Sequence, residues 1–416
     1  MNEFQERLAK YAELIVKLGV DVQSGQEVLI RAPLFGSELV HKITELAYAQ
    51  GAKRVHVEWE DAELDRLSLM HESLAELANV PEFKVAFYEQ LAKNGAAVIT
   101  VYSPDPFLLA DVDHERIAIA QRAVGEAFHV FRGYLMGYKI PWCLVSIPNA
   151  HWAQSIFPEL SVQDAVDKLW ECIFFATRVN QEDPLQAWIQ HTEYLSTRLK
   201  TLNNLKLTSL HYSGPGTQLE IQLPKGHVWR GGRRLAQTGQ SFIPNIPAEE
   251  VFTAPQKDGV HGFVRSTKPL HYGGRLLGEF SIVFKDGRAV SIEAGSDDDA
   301  KTLQLLLDSS SGANYLGEVA IVPDNSPISE LGIIFQNTLF DENAACHVAL
   351  GDAYPLCIEG GDGMTAEELE VHGLNTSVVH VDFMIGSGEL DIIGVRENGE
   401  SIQILKAGRW VIESSN

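Results

Sequence analysis

The residues best suited to chemistry are His380 and Asp382, inside the run Ser377-Val378-Val379-His380-Val381-Asp382-Phe383-Met384-Ile385. A β-branched and aromatic run of this kind reads as a buried strand, and alternate side chains along a strand share a face, so the imidazole and the carboxylate point the same way. In an otherwise apolar strand such a pair is costly unless something compensates it. A divalent cation would do so, as would a plainer arrangement in which Asp382 only orients a core histidine. Similar groups upstream, Glu250, Glu318 and His347, shift the balance toward the cation.

Each of these lies in a suggestive context. Pro247-Ala248-Glu249-Glu250-Val251-Phe252 puts two carboxylates in a strand-like setting, where neighbours face opposite sides and only one points inward. Glu318 stands at the head of an apolar strand, Leu316-Gly317-Glu318-Val319-Ala320-Ile321-Val322, and His347 sits among small residues, with Tyr354 seven positions on. Carboxylates and imidazoles without thiolates suit Zn²⁺, Co²⁺ or Mn²⁺. Three carboxylates and two histidines exceed what one open tetrahedral zinc needs, so either one ion is over-supplied or two ions share a bridging carboxylate; two is the more economical reading. No short motif such as HExxH ties the five together, so scattered core polar residues are the competing explanation.

Other chemistries have less support. The chain has no GxSxG, GxGxxG or GxxxxGK[ST], and neither Cys346 nor Cys357 sits in a nucleophile signature. The acidic run Ser296-Asp297-Asp298-Asp299 is a helix N-cap followed by first-turn carboxylates, a structural role. Arg230-Gly231-Gly232-Arg233-Arg234 and Gly273-Gly274-Arg275 read as turns with solvated arginines, and His56, His151 and His261 have no partner visible in sequence.

The elements that must position these groups fall into two textures. After a first amphipathic helix carrying Phe4, Leu8, Tyr11, Ile15 and Leu18, the patterning predicts strands over 26–30, 54–59, 96–102 and 144–147 and helices over 38–49 and 116–133. Strands alternating with helices imply a parallel sheet with right-handed crossovers. Helices over 162–178 and 185–202 follow. Beyond 206, short alternating strands separated by Gly, Pro and Asp turns take over, with Asp286-Gly287 as a hairpin signal. The expectation is therefore an α/β plus α+β chain: an N-terminal parallel-sheet α/β domain over 1–190 and a β-rich domain over 191–416 that carries the candidate metal ligands.

A chain of 416 residues has room for two cores. Its 33 basic against 56 acidic side chains, net −23, would repel nucleic acid and an anionic membrane alike. Four cysteines without a CxxC indicate neither a disulfide framework nor a thiolate zinc site, and no apolar run is long enough to span a bilayer, so a cytoplasmic protein is expected.

Taken together, the segments Ile246 to Pro255, Asn337 to Gly351 and His380-Val381-Asp382 give a specific resemblance over essentially the whole chain, including the turn Ser213-Gly214-Pro215-Gly216-Thr217. The chain resembles the M29 family of metalloaminopeptidases, the aminopeptidase T and aminopeptidase S group. The resemblance implies peptide substrates, a homodimer that encloses the site, and two divalent ions, with zinc, cobalt or magnesium as candidates. It implies metal ligands at Glu250, Glu318, His347, His380 and Asp382, a site tyrosine at Tyr354, and, since Glu249 and Glu250 are adjacent, Glu250 as the first ligand. Glu318 is the expected bridge, and Glu249 or Glu342 the expected proton acceptor. A phosphoesterase, a small-amide hydrolase or a non-catalytic peptide-binding protein are the alternatives.

Overall fold

In the computed structural model, residues 2–105, 107–272 and 275–412 are described. Two compact units emerge, Met1–Gln190 with Arg233–Pro247, and His191–Gly232 with Ala248–Asn416. A single cut at 190 misses the return of 233–247 to the first unit. That return is made by backbone bonds: Leu144 N–H donates to Pro244 O at 2.7 Å, Ile246 N–H to Leu144 O at 3.0 Å, and Ile243 N–H to Gly19 O at 2.8 Å. So short a pairing segment has no periodicity for a sequence pattern to reveal.

The first unit is built on four strands, β1 (Glu27–Pro33), β2 (Arg54–Glu60), β3 (Ala97–Tyr102) and β4 (Trp142–Ser146), in the order β2-β1-β3-β4. All three pairings are parallel, as the alternating pattern requires. The long helix expected over 116–133 is two, His114–Ala127 and His129–Met136, and the helices Ala62–His71, Leu74–Leu77 and Glu82–Lys93 fill a stretch the patterning left open. Leu29 and Val98 of the sheet pack with Tyr88, Leu91 and Phe131 of these helices.

The second unit joins two antiparallel sheets. The larger has eight strands, from Arg288–Ala294 at one edge through Leu207–Gly214 near the middle to Arg409–Trp410 at the other. Its hairpin at Asp286-Gly287 has φ of 49° and 78°, the paired positive φ values of a type I′ turn. The smaller sheet has five strands, in the order His380–Met384, His347–Gly351, Leu316–Ile321, Val251–Thr253 and Arg230–Gly231. Val251, Val319, Ile321, Val348, Leu350 and Phe383 of the small sheet share one core with Leu210, Ile221, Val264, Ile282 and Ile392 of the large one. Helix Asp297–Leu307 adds Leu303, Leu306 and Leu307 to that core, and Ser296 Oγ accepts from Asp299 N–H at 3.1 Å, the structural role expected of the acidic run. The four cysteines are free and buried. Among the described residues no helix is long and apolar enough to cross a membrane.

Candidate metal centre

Strand alternation sorts the small sheet into two faces. With Val319, Ile321, Val348, Leu350 and Phe383 committed to the core, Glu318, Ala320, His347, Ala349, Gly351, His380 and Asp382 must occupy the opposite face. The register then sets them in rows: Ala320 opposite His347, Glu318 opposite Ala349, Ala349 opposite Asp382, and Gly351 opposite His380. Small residues alternate with ionisable ones. Ala349 lies between the Glu318 and Asp382 carboxylates and fills almost none of the space around them.

Glu318 reaches this face only through a β-bulge. Leu316 pairs with Leu350 on the core side, yet Glu318, two residues later, pairs with Ala349 on the other side. Gly317 is the extra residue that reverses the alternation. It must be glycine, because a Cβ there would lie 2.1 Å from the carbonyl oxygen of Asp352. That same carbonyl stands 2.8 Å from His380 Nδ1, so the bulge and the histidine anchor meet at one backbone atom.

The distances group the donors around Glu318. His347 Nε2 lies 3.2 Å from Glu250 Oε2 and 3.6 Å from Glu318 Oε1. His380 Nε2 lies 3.5 Å from Glu318 Oε2 and 3.5 Å from Asp382 Oδ1. The two oxygens of one carboxylate thus serve different imidazoles. Glu250, Glu318 and His347 form one three-donor group and Glu318, His380 and Asp382 a second, each with ligand atoms within 4.8 Å of one another.

The protonation chemistry of the cluster suits a cation. His347 Nδ1 is 3.1 Å from Ala345 O and His380 Nδ1 is 2.8 Å from Asp352 O. A neutral imidazole whose Nδ1–H donates to a carbonyl keeps its Nε2 lone pair free, and both Nε2 atoms face carboxylates. Asp382 Oδ1 is buried without a hydrogen bond. Burial, reinforced by the charges of Glu250 and Asp382, pushes the Glu318 carboxyl up to about 7 against the hydrogen bond from His347. Burial acts to lower His380, but Asp382 and Glu318 outweigh it and push the imidazole up to about 10. At His347 burial again opposes, and Glu250 and Glu318 again win. Without an ion, then, protons on the imidazoles offset the crowded carboxylates; a divalent cation would replace them and release them on binding. Oxygen and nitrogen donors, lone pairs aimed inward and one orphaned carboxylate oxygen all fit such an ion.

The adjacent carboxylates of Glu249 and Glu250 have different neighbours. Glu250 faces His347, while Glu249 Oε2 lies 3.5 Å from His191 Nε2. The strand-like setting expected for both is only partly realised, since the strand begins at Val251. Glu342 is the carboxyl that feels the cluster: burial, then the charges of Glu250 and Asp382, raise it well above the usual range. Tyr354 is half-buried beside the site, its ring 5.0 Å from that of His380 and 5.8 Å from that of Phe252. Burial, ahead of the neighbouring carboxylates, raises its phenol well above the ordinary value.

The remaining groups lie outside the cluster. His151 pairs with Asp105 at 2.6 Å, His261 Nδ1 lies 3.8 Å from Asp286, and His56 packs against Phe87. Arg230 Nε donates to the carbonyl oxygen of Leu356 and Arg234 Nε to the phenolic oxygen of Tyr138, while Gly273 and Gly274 fall outside the described residues. Sequence reasoning passes over Gly317, although a glycine beside a lone carboxylate in an apolar strand is a signal for a bulge.

An α/β unit followed by a β-rich unit whose small sheet presents a carboxylate–imidazole cluster defines a candidate metalloenzyme. A family model described as thermophilic metalloprotease (M29) matches residues 4–410. The chain is 46% identical over 413 residues to Aminopeptidase 2 of Geobacillus stearothermophilus, covering 99% of this chain and 100% of that one. It is 45% identical over 410 residues to Aminopeptidase AmpS of Bacillus subtilis, again covering 99% and 100%. Wild-type AmpT from Thermus thermophilus superposes with a TM-score of 0.92 at 38% identity, covering 98% of this chain and 100% of that one. The chain belongs to the thermophilic metalloprotease family M29, as the resemblance implied, and is an enzyme of that class.

Proposed function

We propose that the protein is a metal-dependent aminopeptidase that hydrolyses the N-terminal residue from peptides at a two-ion site. The observation that carries this reading is Glu318, whose oxygens face two different imidazoles, each with a further carboxylate beside it. On that geometry Glu250 and His347 would hold one ion and His380 and Asp382 the other, with Glu318 available to both. Bound divalent ions supply Lewis acidity, which polarises the scissile carbonyl and makes water nucleophilic near neutral pH.

The chain's own groups do the rest. Glu342 accepts a proton from the attacking water and returns it to the leaving amine, the pairing of tasks a general base and acid must share. It suits this better than Glu249, whose carboxylate is turned to His191. Tyr354 donates its phenolic hydrogen to the oxyanion that develops at the carbonyl, and a pKa raised well above the ordinary value keeps that hydrogen in place near neutral pH. Backbone carbonyls of Ala345 and Asp352 hold the two imidazoles in the tautomer that presents Nε2 to the ions.

The test is chelation to remove bound ions, readdition of Zn²⁺, Co²⁺ or Mg²⁺, and assay on leucyl, arginyl and aromatic aminoacyl substrates beside N-acetylated and phosphate-ester controls. Cleavage restricted to free N-termini and restored by an ion is expected. Activity that persists after exhaustive chelation removes the metal from the reaction. Preferential turnover of phosphate esters would make the site a phosphoesterase.

A further inference from the structure

Four of the five cluster residues take their position from a strand: Glu318 and Asp382 lie within one and His347 and His380 open one. Ladder hydrogen bonds fix their backbones. Glu250 is the exception, because it precedes Val251–Thr253 and no strand pairing reaches residues 248–250. Something else must hold that stretch. We infer that Asn343 is the positioning residue that sets the Glu250 half of the site and aligns Glu342 beside it.

Asn343 is wholly buried in the short turn Glu342–Ala344 that leads toward His347. Its Oδ1 accepts from the N–H of Glu249 at 2.6 Å, across 94 positions of sequence. Its Nδ2 donates to Leu339 O at 3.0 Å and reaches Glu342 Oε1 at 3.4 Å. One planar amide thus connects the backbone just before Glu250, the turn that carries it, and the carboxylate assigned to proton transfer. His191 Nε2 also donates to Ala248 O at 2.7 Å, so two side chains hold the backbone of this segment. The Asn343 anchor is itself stiff. Asn337 Oδ1 accepts from Leu339 N–H at 3.1 Å, and Asp341 accepts from Phe335 N–H at 2.8 Å and Asn337 N–H at 3.0 Å.

The amide is required by its asymmetry. Toward Glu249 it must present an acceptor, and toward Leu339 and Glu342 a donor. Asp keeps the first and loses the second, and Ala loses both. The two losses separate the roles.

The inference rests on the two-ion reading, and its test distinguishes the two. Metal-free wild type, Asn343→Ala, Asn343→Asp and Glu250→Gln are titrated with Zn²⁺ by calorimetry, with circular dichroism to establish folding. Wild type is expected to take up two ions. Asn343→Ala should weaken one of them about 10–100-fold, as loss of an outer hydrogen bond to a metal centre does, and leave the other unchanged. Added to Glu250→Gln it should weaken that ion no further, since both act on the same donor. In kcat, Asn343→Ala and Glu342→Gln should be non-additive. Equal weakening of both ions, unchanged binding, or full additivity overturns the inference. If Asn343→Ala does not fold, Asn343→Asp decides: it should retain both ions and lose kcat, and loss of the Glu250-side ion there overturns the inference too. A wild type that binds one ion sinks the two-ion reading instead, and the kcat cycle then decides the role of Asn343. A wild type that binds two ions but cleaves no peptide sinks the proposed activity, and the titration decides.

Discussion

The two faces of the five-stranded sheet are made by the same strands and have opposite compositions. One face carries Val319, Ile321, Val348, Leu350 and Phe383, which are large, apolar and packed into the core of the unit. The other carries Glu318, His347, His380 and Asp382, spaced by Ala320, Ala349 and Gly351. Burial of the first face supplies the rigidity that lets the second hold four ionisable groups within a few ångströms of one another. The difference teaches that stability and chemistry are separated here by a single step along the strand, so adjacent substitutions should fail in different ways.

The largest effect is expected from Glu318→Gln, which removes the one carboxylate shared by both donor groups. Loss of two ions should lower kcat by about a thousandfold or more, the consequence of several kcal/mol of lost Lewis-acid stabilisation. The metal-free variant should nonetheless melt no lower than metal-free wild type, because one of several mutually repelling buried carboxylates is gone. A large drop in that melting temperature would show that Glu318 belongs to the core and would break the contrast between the faces.

Neighbouring residues on opposite faces sharpen it. Ala349→Val adds bulk between Glu318 and Asp382, so zinc uptake and turnover should fall about tenfold or more while the fold remains, as a misplaced ligand shell implies. Leu350→Ala, one position on, empties a fully buried core site and should cost about 2–5 kcal/mol in denaturant unfolding. Its zinc stoichiometry and low-temperature kcat should stay near wild type. If the two variants exchange phenotypes, the assignment of faces is wrong. The smallest effect belongs to Glu249→Gln, whose carboxylate faces His191; kcat is expected to change by less than about tenfold, below the usual range for loss of a general base. A loss as large as that of Glu342→Gln would return the proton-transfer role to Glu249.

Much of the architecture was readable in advance. The change from strands alternating with helices to closely spaced strands marked two kinds of unit, and the ranges of β1, β2 and β3 differ from those read from periodicity by a few residues at most. The same alternation placed His380 and Asp382 on one face. Helices Ala62–His71 and Glu82–Lys93 escaped notice because their apolar positions are weakly patterned: the first has no buried residue at all. The inventory of candidate donors was likewise readable, because it needs only the residue types and not their positions in space.

What the amino-acid order determined by itself was local: strand and helix periods, caps, the hairpin at Asp286-Gly287, and the inventory of carboxylates and imidazoles. Only the tertiary structure decided which of Glu249 and Glu250 turns toward His347, that Gly317 forms a bulge delivering Glu318 to the right face, and that Asn343 grips a backbone 94 positions away. The bulge depends on register between strands distant in sequence, and the other two on a turn and a loop that only the folded chain brings together. Register is set by how side chains pack across the sheet, and no pattern within a single strand records its partner.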